Sequence, residues 1–406
     1  MKKCLVMGVC ALIIIAGCEP QAVRDGGIPR IRTQGGSGAG DKTHDADSSL
    51  AGSPGVYVAA ISVRDSYNWQ IDTALGAAAC DAVLYLDGRK ILSFPTGYEY
   101  GVGTDPDSYH LFGGHLYTNF TDGMGTVIKK DGVQLFRYAE REQIKGLLVK
   151  DDDVYTLGCG KVTGEGFSLR RNGQLILATN GGQILGGFDA LGAERTGALY
   201  EDCGQVCFNY KDVLDNVVYV VEDGSLDPIS VIANSRILSV RRFCGENFCI
   251  YTTGATTSFQ SPSYFQKFGS YTALEEAQLG EVGHRLMFYY WWGAEFRLYD
   301  SKCVPLVHLK ASSPAVYGDD ITWKVISREP SGSLSAYNES GVEEWRLEPS
   351  FFLSRDCATM SEGALYVAAT PNGSHLGPVL YKNGTEMTDF GIDGFATAVE
   401  VVSPPN

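Results

Sequence analysis

Between Gly55 and Val402 apolar and polar residues alternate in short runs, and glycine-containing dipeptides cut the runs apart. A period of two predicts strands with one face buried, and Asp-Gly or Asn-Gly between such runs predicts hairpins, because both turn positions need positive φ. Two stretches near opposite ends carry almost the same phrase: GVYVAAIS…DAVLYLDGRKILSF, Gly55 to Phe94, and GALYVAATPNGSHLGPVLYKNGTEMTDF, Gly363 to Phe390. Each reads as a strand, a loop, a second strand, a two-residue turn and a third strand. Turn glycines recur at Gly88, Gly132, Gly173, Gly224, Gly269, Gly341 and Gly384. The long interval before Gly341 holds a further copy, EFRLYDSKCVPLVHL, turning at Ser301-Lys302. Eight units result, spaced by about 42 residues, a period typical of repeat architectures.

A fourth strand precedes most copies, as in IKGLLVKDDDVYTLG, TGALYEDCGQVCFNY, ILSVRRFCGENFCIY and SPAVYGDDITWKV. Four short strands per unit predict an all-β fold, an eight-bladed β-propeller. A helical solenoid conflicts with the period of two and the richness in Val, Tyr, Phe and Thr, and a parallel β-helix has shorter coils. The first copy lacks an inner strand, whereas the last is followed by a surplus one, GFATAVEVV, Gly394 to Val402. Pairing of 395–402 with 56–62 is therefore expected, so that the N- and C-terminal strands close the ring and leave no bare edge.

With strands A to D numbered from the axis outward, A–B and C–D turns share one face, and B–C and D–A loops share the other. The tight turns fall on the first face and the long segments on the second. The long segments carry Tyr67, Trp69, Tyr98, Tyr100, Phe188 and Phe259, and YYWW places Trp291 and Trp292 nearest the same face. Aromatic rings beside Asp, Asn and Gln suit sugars and protein partners alike. The alternative is that each ring packs beneath its own loop.

The N-terminus precedes the fold. Lys2 and Lys3 lead into LVMGVCALIIIAG, too short for a membrane span and suited to an export signal. Ile15-Ala16-Gly17-Cys18 resembles the lipobox of bacterial lipoproteins. That resemblance implies cleavage after residue 17 and lipidation of Cys18, with several acyl chains giving a stable anchor. Residues 18–54, rich in Gly, Ser and Asp beyond the cysteine, read as a tether with a reach of roughly 30 Å, and 55–406 as one propeller domain. Loss of residues 1–17 removes two lysines and shifts the net charge from −15 to −17. Such a surface repels phosphate backbones, so nucleic acid is not an expected partner, and membrane contact is expected through lipid alone.

Of eleven cysteines, eight lie in the domain. Cys203 with Cys207, and Cys244 with Cys249, flank A–B turns of adjacent units, and each pair is a candidate strand-to-strand disulfide. The alternative is that Cys207 and Cys249 are small buried residues. Cys80, Cys159, Cys303 and Cys357 show no pairing logic. The six histidines form no metal spacing, and His110 and His115, astride an A–B turn, read as solvated. GxSxG is absent, and GGQILGG lacks the lysine of a phosphate loop. No catalytic residue, metal or cofactor is expected, although a carboxylate pair on loops of different blades leaves no trace in sequence spacing.

The phrase LYVAA…VLYKNGTE resembles the repeats of propeller domains in exported bacterial lipoproteins, over residues 55 to 402. Tyr337 to Trp345, YNESGVEEW, alone is similar to blades of the lipoprotein scaffold of the outer-membrane β-barrel assembly machine. These resemblances imply a lipid-anchored protein of the cell envelope, attached to the outer membrane. The expected role is non-catalytic binding of a glycan or protein at the loop-rich face. A carbohydrate-active hydrolase or lyase, and an envelope-complex scaffold, are the alternatives.

Overall fold

The strand Gly55–Val63 is apolar at odd and even positions alike, because both of its faces are covered. Tyr57, Ala59 and Ile61 pack with Leu84, Tyr109 and Leu116 on one side. Val56, Val58 and Ala60 pack with Leu365, Val367 and Ala369 on the other. The outermost strand of the same sheet, Arg89–Pro95, is largely solvated and buries only Ile91 fully. This strand, wedged between two neighbouring sheets, thus reads as a continuous apolar run, whereas the outermost strand of its sheet alternates. Fully burying one such Leu or Ile is worth roughly 1.5–3 kcal/mol, so the wedged strands carry most of the stability.

The computed structural model describes residues 47–404 except 64–79, 96–108, 123, 161–165, 180, 182, 185–198, 212–217, 223–224, 230–235, 254–255, 262–263, 271–276, 293–294, 349–350, 354 and 373–376. The protein is an all-β propeller. The described strands form eight antiparallel sheets. In the first sheet, from the inside out, the strands are Gly394–Val402, Gly55–Val63, Cys80–Leu86 and Arg89–Pro95. Gly394–Val402 is hydrogen-bonded antiparallel to Gly55–Val63, with Gly55 opposite Val402, Val58 opposite Val399 and Ser62 opposite Gly394.

The other seven sheets begin on the inner strands Tyr109–Phe112, Glu142–Lys150, Tyr200–Asp202, Arg236–Phe243, Gln278–Val282, Pro314–Gly318 and Ala358–Ser361. Two inner edges are split. Gln183–Ile184 and Tyr200–Asp202 both pair with Gln205–Lys211 in the fourth sheet. Phe351–Phe352 and Ala358–Ser361 both pair with Ala364–Pro371 in the eighth. A 3-10 turn, Arg355–Cys357, separates the two pieces of the latter.

The fifth sheet corrects one reading of the sequence. TTSFQS is not a B–C loop but the third strand, Thr256–Ser261, and Gly269 lies within the fourth strand, Tyr264–Ser270, rather than at a turn.

The Asx-Gly turns have two further tasks. Asp87, Asp131, Asn172 and Asn383 sit at φ near +50°. Each side-chain oxygen accepts a backbone N–H near the start of the second strand of its own sheet, from the strand's second residue: Val56, Leu116, Val154 and Leu365, all at 2.9 Å. The glycine that follows leans on the preceding sheet. A Cβ on Gly132 would lie 2.9 Å from the Phe94 ring, one on Gly173 3.0 Å from Phe136, and one on Gly384 2.5 Å from Trp345. Gly88 meets Thr388 of the eighth sheet in the same way.

Candidate functional site: an axial cavity and its rim

Inner strands of the first, second, third and eighth sheets, with Leu199 at the entry to the fourth, surround a cavity of about 400 Å³. Its wall is about evenly polar and apolar, with Leu147, Leu199 and Val399 among the apolar lining residues and His110, Asp356, Thr359 and Glu400 as polar contributors. A mixed concave wall built from rigid strands is the usual setting for a small ligand or a partner's side chain. His110 is not the solvated turn residue that the sequence suggested: it is buried and stacks on Phe112, with ring centroids 6.4 Å apart. The spacing of a turn histidine does not reveal that the inner strand turns it toward the axis.

The rim is organised by carboxylates. Glu400, on the innermost strand of the first sheet, accepts N–H donors from Gly113 at 2.8 Å and Gly114 at 2.9 Å, the inner turn of the second sheet. Asp202 of the fourth sheet accepts from Cys244 at 2.6 Å and Gly245 at 2.9 Å, the inner turn of the fifth. Asp319 of the seventh accepts from Gly363 at 2.6 Å, in the inner turn of the eighth. Burial pushes Asp319 up, but the backbone N–H groups of Gly363, Thr322 and Ile321 outweigh it and hold the carboxyl below its ordinary value.

The segment preceding the first strand docks at this same rim. The Tyr57 hydroxyl donates to the carbonyl of Ser53 at 2.6 Å, and the Gly52 N–H reaches the Gly114 carbonyl at 3.4 Å. Ser48–Leu50 forms a 3-10 turn there.

Between the second and third sheets lies a buried ion pair that sequence reading missed. The Arg170 guanidinium donates to Glu142 at 2.9 Å and stacks 4.2 Å from the Tyr138 ring, and both charged side chains are buried. Gly158 makes the room, since a Cβ there would lie 2.4 Å from a Glu142 oxygen. Burial drives the Tyr138 phenol well above its ordinary range. The cluster reads as a structural clamp, with Arg170 paired to Glu142 and, at 3.3 Å, to the exposed Glu140.

Tyr67, Trp69, Tyr98, Tyr100, Phe188 and Cys18 lie outside the described residues. Trp291 and Trp292 end the strand Arg285–Trp292, with Trp292 opposite Glu295 at the hairpin. Phe259 is withdrawn from the ligand face. It is fully buried, stacked on Phe288 at 5.3 Å and packed against Phe248 at 5.9 Å.

Neither candidate pair, Cys203 with Cys207 or Cys244 with Cys249, stands directly opposite across its ladder. Tyr200 stands opposite Cys207 and Val240 opposite Cys249, whereas Cys203 and Cys244 occupy turn apices. Among the described residues no group of three or more His, Cys, Asp or Glu side chains is placed to hold a metal ion.

No family model matches the chain, and no curated protein matches it in sequence. Solved structures are similar at low identity. BamB from Moraxella catarrhalis is 8% identical, with a TM-score of 0.43, over 74% of this chain and 89% of that one. The dihydro-heme d1 dehydrogenase NirN in complex with DHE is 12% identical, with a TM-score of 0.46, over 85% and 75%. A eukaryotic initiation factor is 12% identical, with a TM-score of 0.42, over 80% and 87%.

Proposed function

We propose that this chain is a lipid-anchored, non-catalytic binding or scaffold protein of the bacterial envelope. In this reading Cys18 carries the anchor, residues 18–54 form the tether with its last residues docked on the rim, and the eight sheets are blades of one ring closed by the terminal strands. The observation that supports it is the packing of Gly55–Val63 against a neighbouring sheet on each face, in a frame that also holds the cavity. The ligand is a glycan or protein met by Tyr67, Trp69, Tyr98, Tyr100, Trp291 and Trp292, and the outer membrane is the expected location.

The test uses the full lipidated chain in vesicles, together with a Trp69→Ala/Trp291→Ala variant, on a glycan array and in cross-linking from whole envelopes. Retention of a glycan or capture of a membrane protein by the parent, reduced at least tenfold in the variant, supports binding. New reducing ends on a retained glycan would replace this reading with a carbohydrate-active enzyme. Equal binding by parent and variant would move the site away from the aromatic loops.

A further inference from the structure

The inner turns of the fourth and fifth sheets each place a cysteine at the same position. Cys203-Gly204 and Cys244-Gly245 have φ of +48° and +79°, and of +51° and +77°. Both cysteines are exposed, whereas Cys80, Cys207, Cys249, Cys303 and Cys357 are buried and Cys159 is half-buried. The two turns are not merely analogous; they are held side by side. Asp202, the residue before Cys203, accepts the backbone N–H of Cys244 at 2.6 Å and that of Gly245 at 2.9 Å. The Arg242 guanidinium approaches the same carboxylate at 3.6 Å.

We propose that Cys203 and Cys244 form a disulfide that joins the fourth sheet to the fifth across the inner rim. Partial desolvation, the Asp202 carboxylate and the Cys203 thiol together raise the Cys244 thiol above its ordinary value. A bridge requires the two Cα atoms to come within about 4.4–6.8 Å, and neither thiol is locked in a core that would oppose rotation toward the other. The position also has a mechanical reason. The inner edge of the fourth sheet is the short strand Tyr200–Asp202 and the detached pair Gln183–Ile184, against eight residues, Arg236–Phe243, in the fifth.

The oxidant is a disulfide, either a small one such as oxidised glutathione or that of a dithiol oxidase. The Cys203 thiolate attacks it, forming a mixed disulfide and expelling one thiolate. The Cys244 thiolate then attacks the Cys203 sulfur and expels the second. Two protein thiols become one S–S bond, and the two electrons and two protons end on the two thiols of the spent oxidant. Formation in the cell rests on export to an oxidising compartment, but formation in vitro does not, so the two ideas fail separately.

Purified full-length protein is incubated with oxidised glutathione, alkylated and digested with trypsin without reductant. The expected result is a linked pair of peptides, 196–211 with 243–267, whose fragments assign the bond to Cys203 and Cys244 and which separates on reduction. The oxidised protein should also melt several degrees above the reduced one. Cys203→Ser should abolish the link, leave Cys244 open to alkylation and leave the melting point of the reduced protein unchanged. Alkylation of both thiols after oxidation, arrest at glutathione adducts, a Cys203–Cys207 bond or a link between two molecules would each overturn the assignment.

Discussion

The inner and outer rims of this propeller join neighbouring sheets by different physics. At the inner rim Glu400, Asp202 and Asp319 reach forward to the backbone N–H groups of the next sheet's turn. At the outer rim the contact runs backward and is apolar: Phe94, Phe136 and Trp345 lie over the turn glycines of the sheet that follows. Directional charge-assisted bonds suit the crowded axis, where register must be kept. Close contact over a glycine suits the periphery, where blades splay and only a missing side chain lets them touch.

The joint between first and last sheets should be the most sensitive. Deleting Gly394–Asn406 removes the inner strand of the first sheet and the Glu400 clasp together, and cooperative thermal unfolding should disappear; an unchanged transition would break the comparison at its root.

Next in size is Gly384→Ala. Left-handed backbone costs an alanine about 1–2 kcal/mol, and crowding against Trp345 adds about 1–3 kcal/mol. In a Trp345→Ala background only the backbone part should remain, and a double-mutant cycle by urea unfolding measures the difference.

Asp202→Ala should cost about 1.5–3 kcal/mol, the worth of hydrogen bonds to a charged acceptor. A loss under half a kcal/mol in the same urea titration would reduce the inner clasps to decoration.

The smallest effect concerns acid. Asp319 is lowered in the folded state, so its contribution is complete above the unfolded carboxyl value of about 3.9 and fades as pH falls through the depressed folded value. Asp319→Asn should flatten that part of the stability curve below pH 4 and change little of its shape at neutral pH.

The repeating hairpins were legible because positive φ narrows the choice of residue: Asp87-Gly88, Asp131-Gly132, Asn172-Gly173 and Asn383-Gly384 announce themselves. Phe259 was not legible. A Thr-rich run bounded by glycine and proline resembles a loop until its register against Ile250 is known. The carboxylate clasps were hidden for another reason: an acid at a strand end reads as a solvated charge, and its partner lies about one repeat away, or, for Glu400, at the far end of the chain. The axial cavity could not be read at all, since residues as distant as His110 and Val399 meet only when sheets from both ends of the chain share an axis. The candidate disulfides could not be weighed from spacing, because register decides which residues face Cys207 and Cys249.

Gly55 and Val402 stand as direct neighbours across one ladder. For the mechanics of that sheet, the break between Val402 and Gly55 is therefore no more special than any hairpin. A few residues splicing Val402 to Gly55, with the backbone opened at some other hairpin, would yield a circular permutant in which every sheet keeps its strands. The chain would then enter and leave the ring at a different sheet.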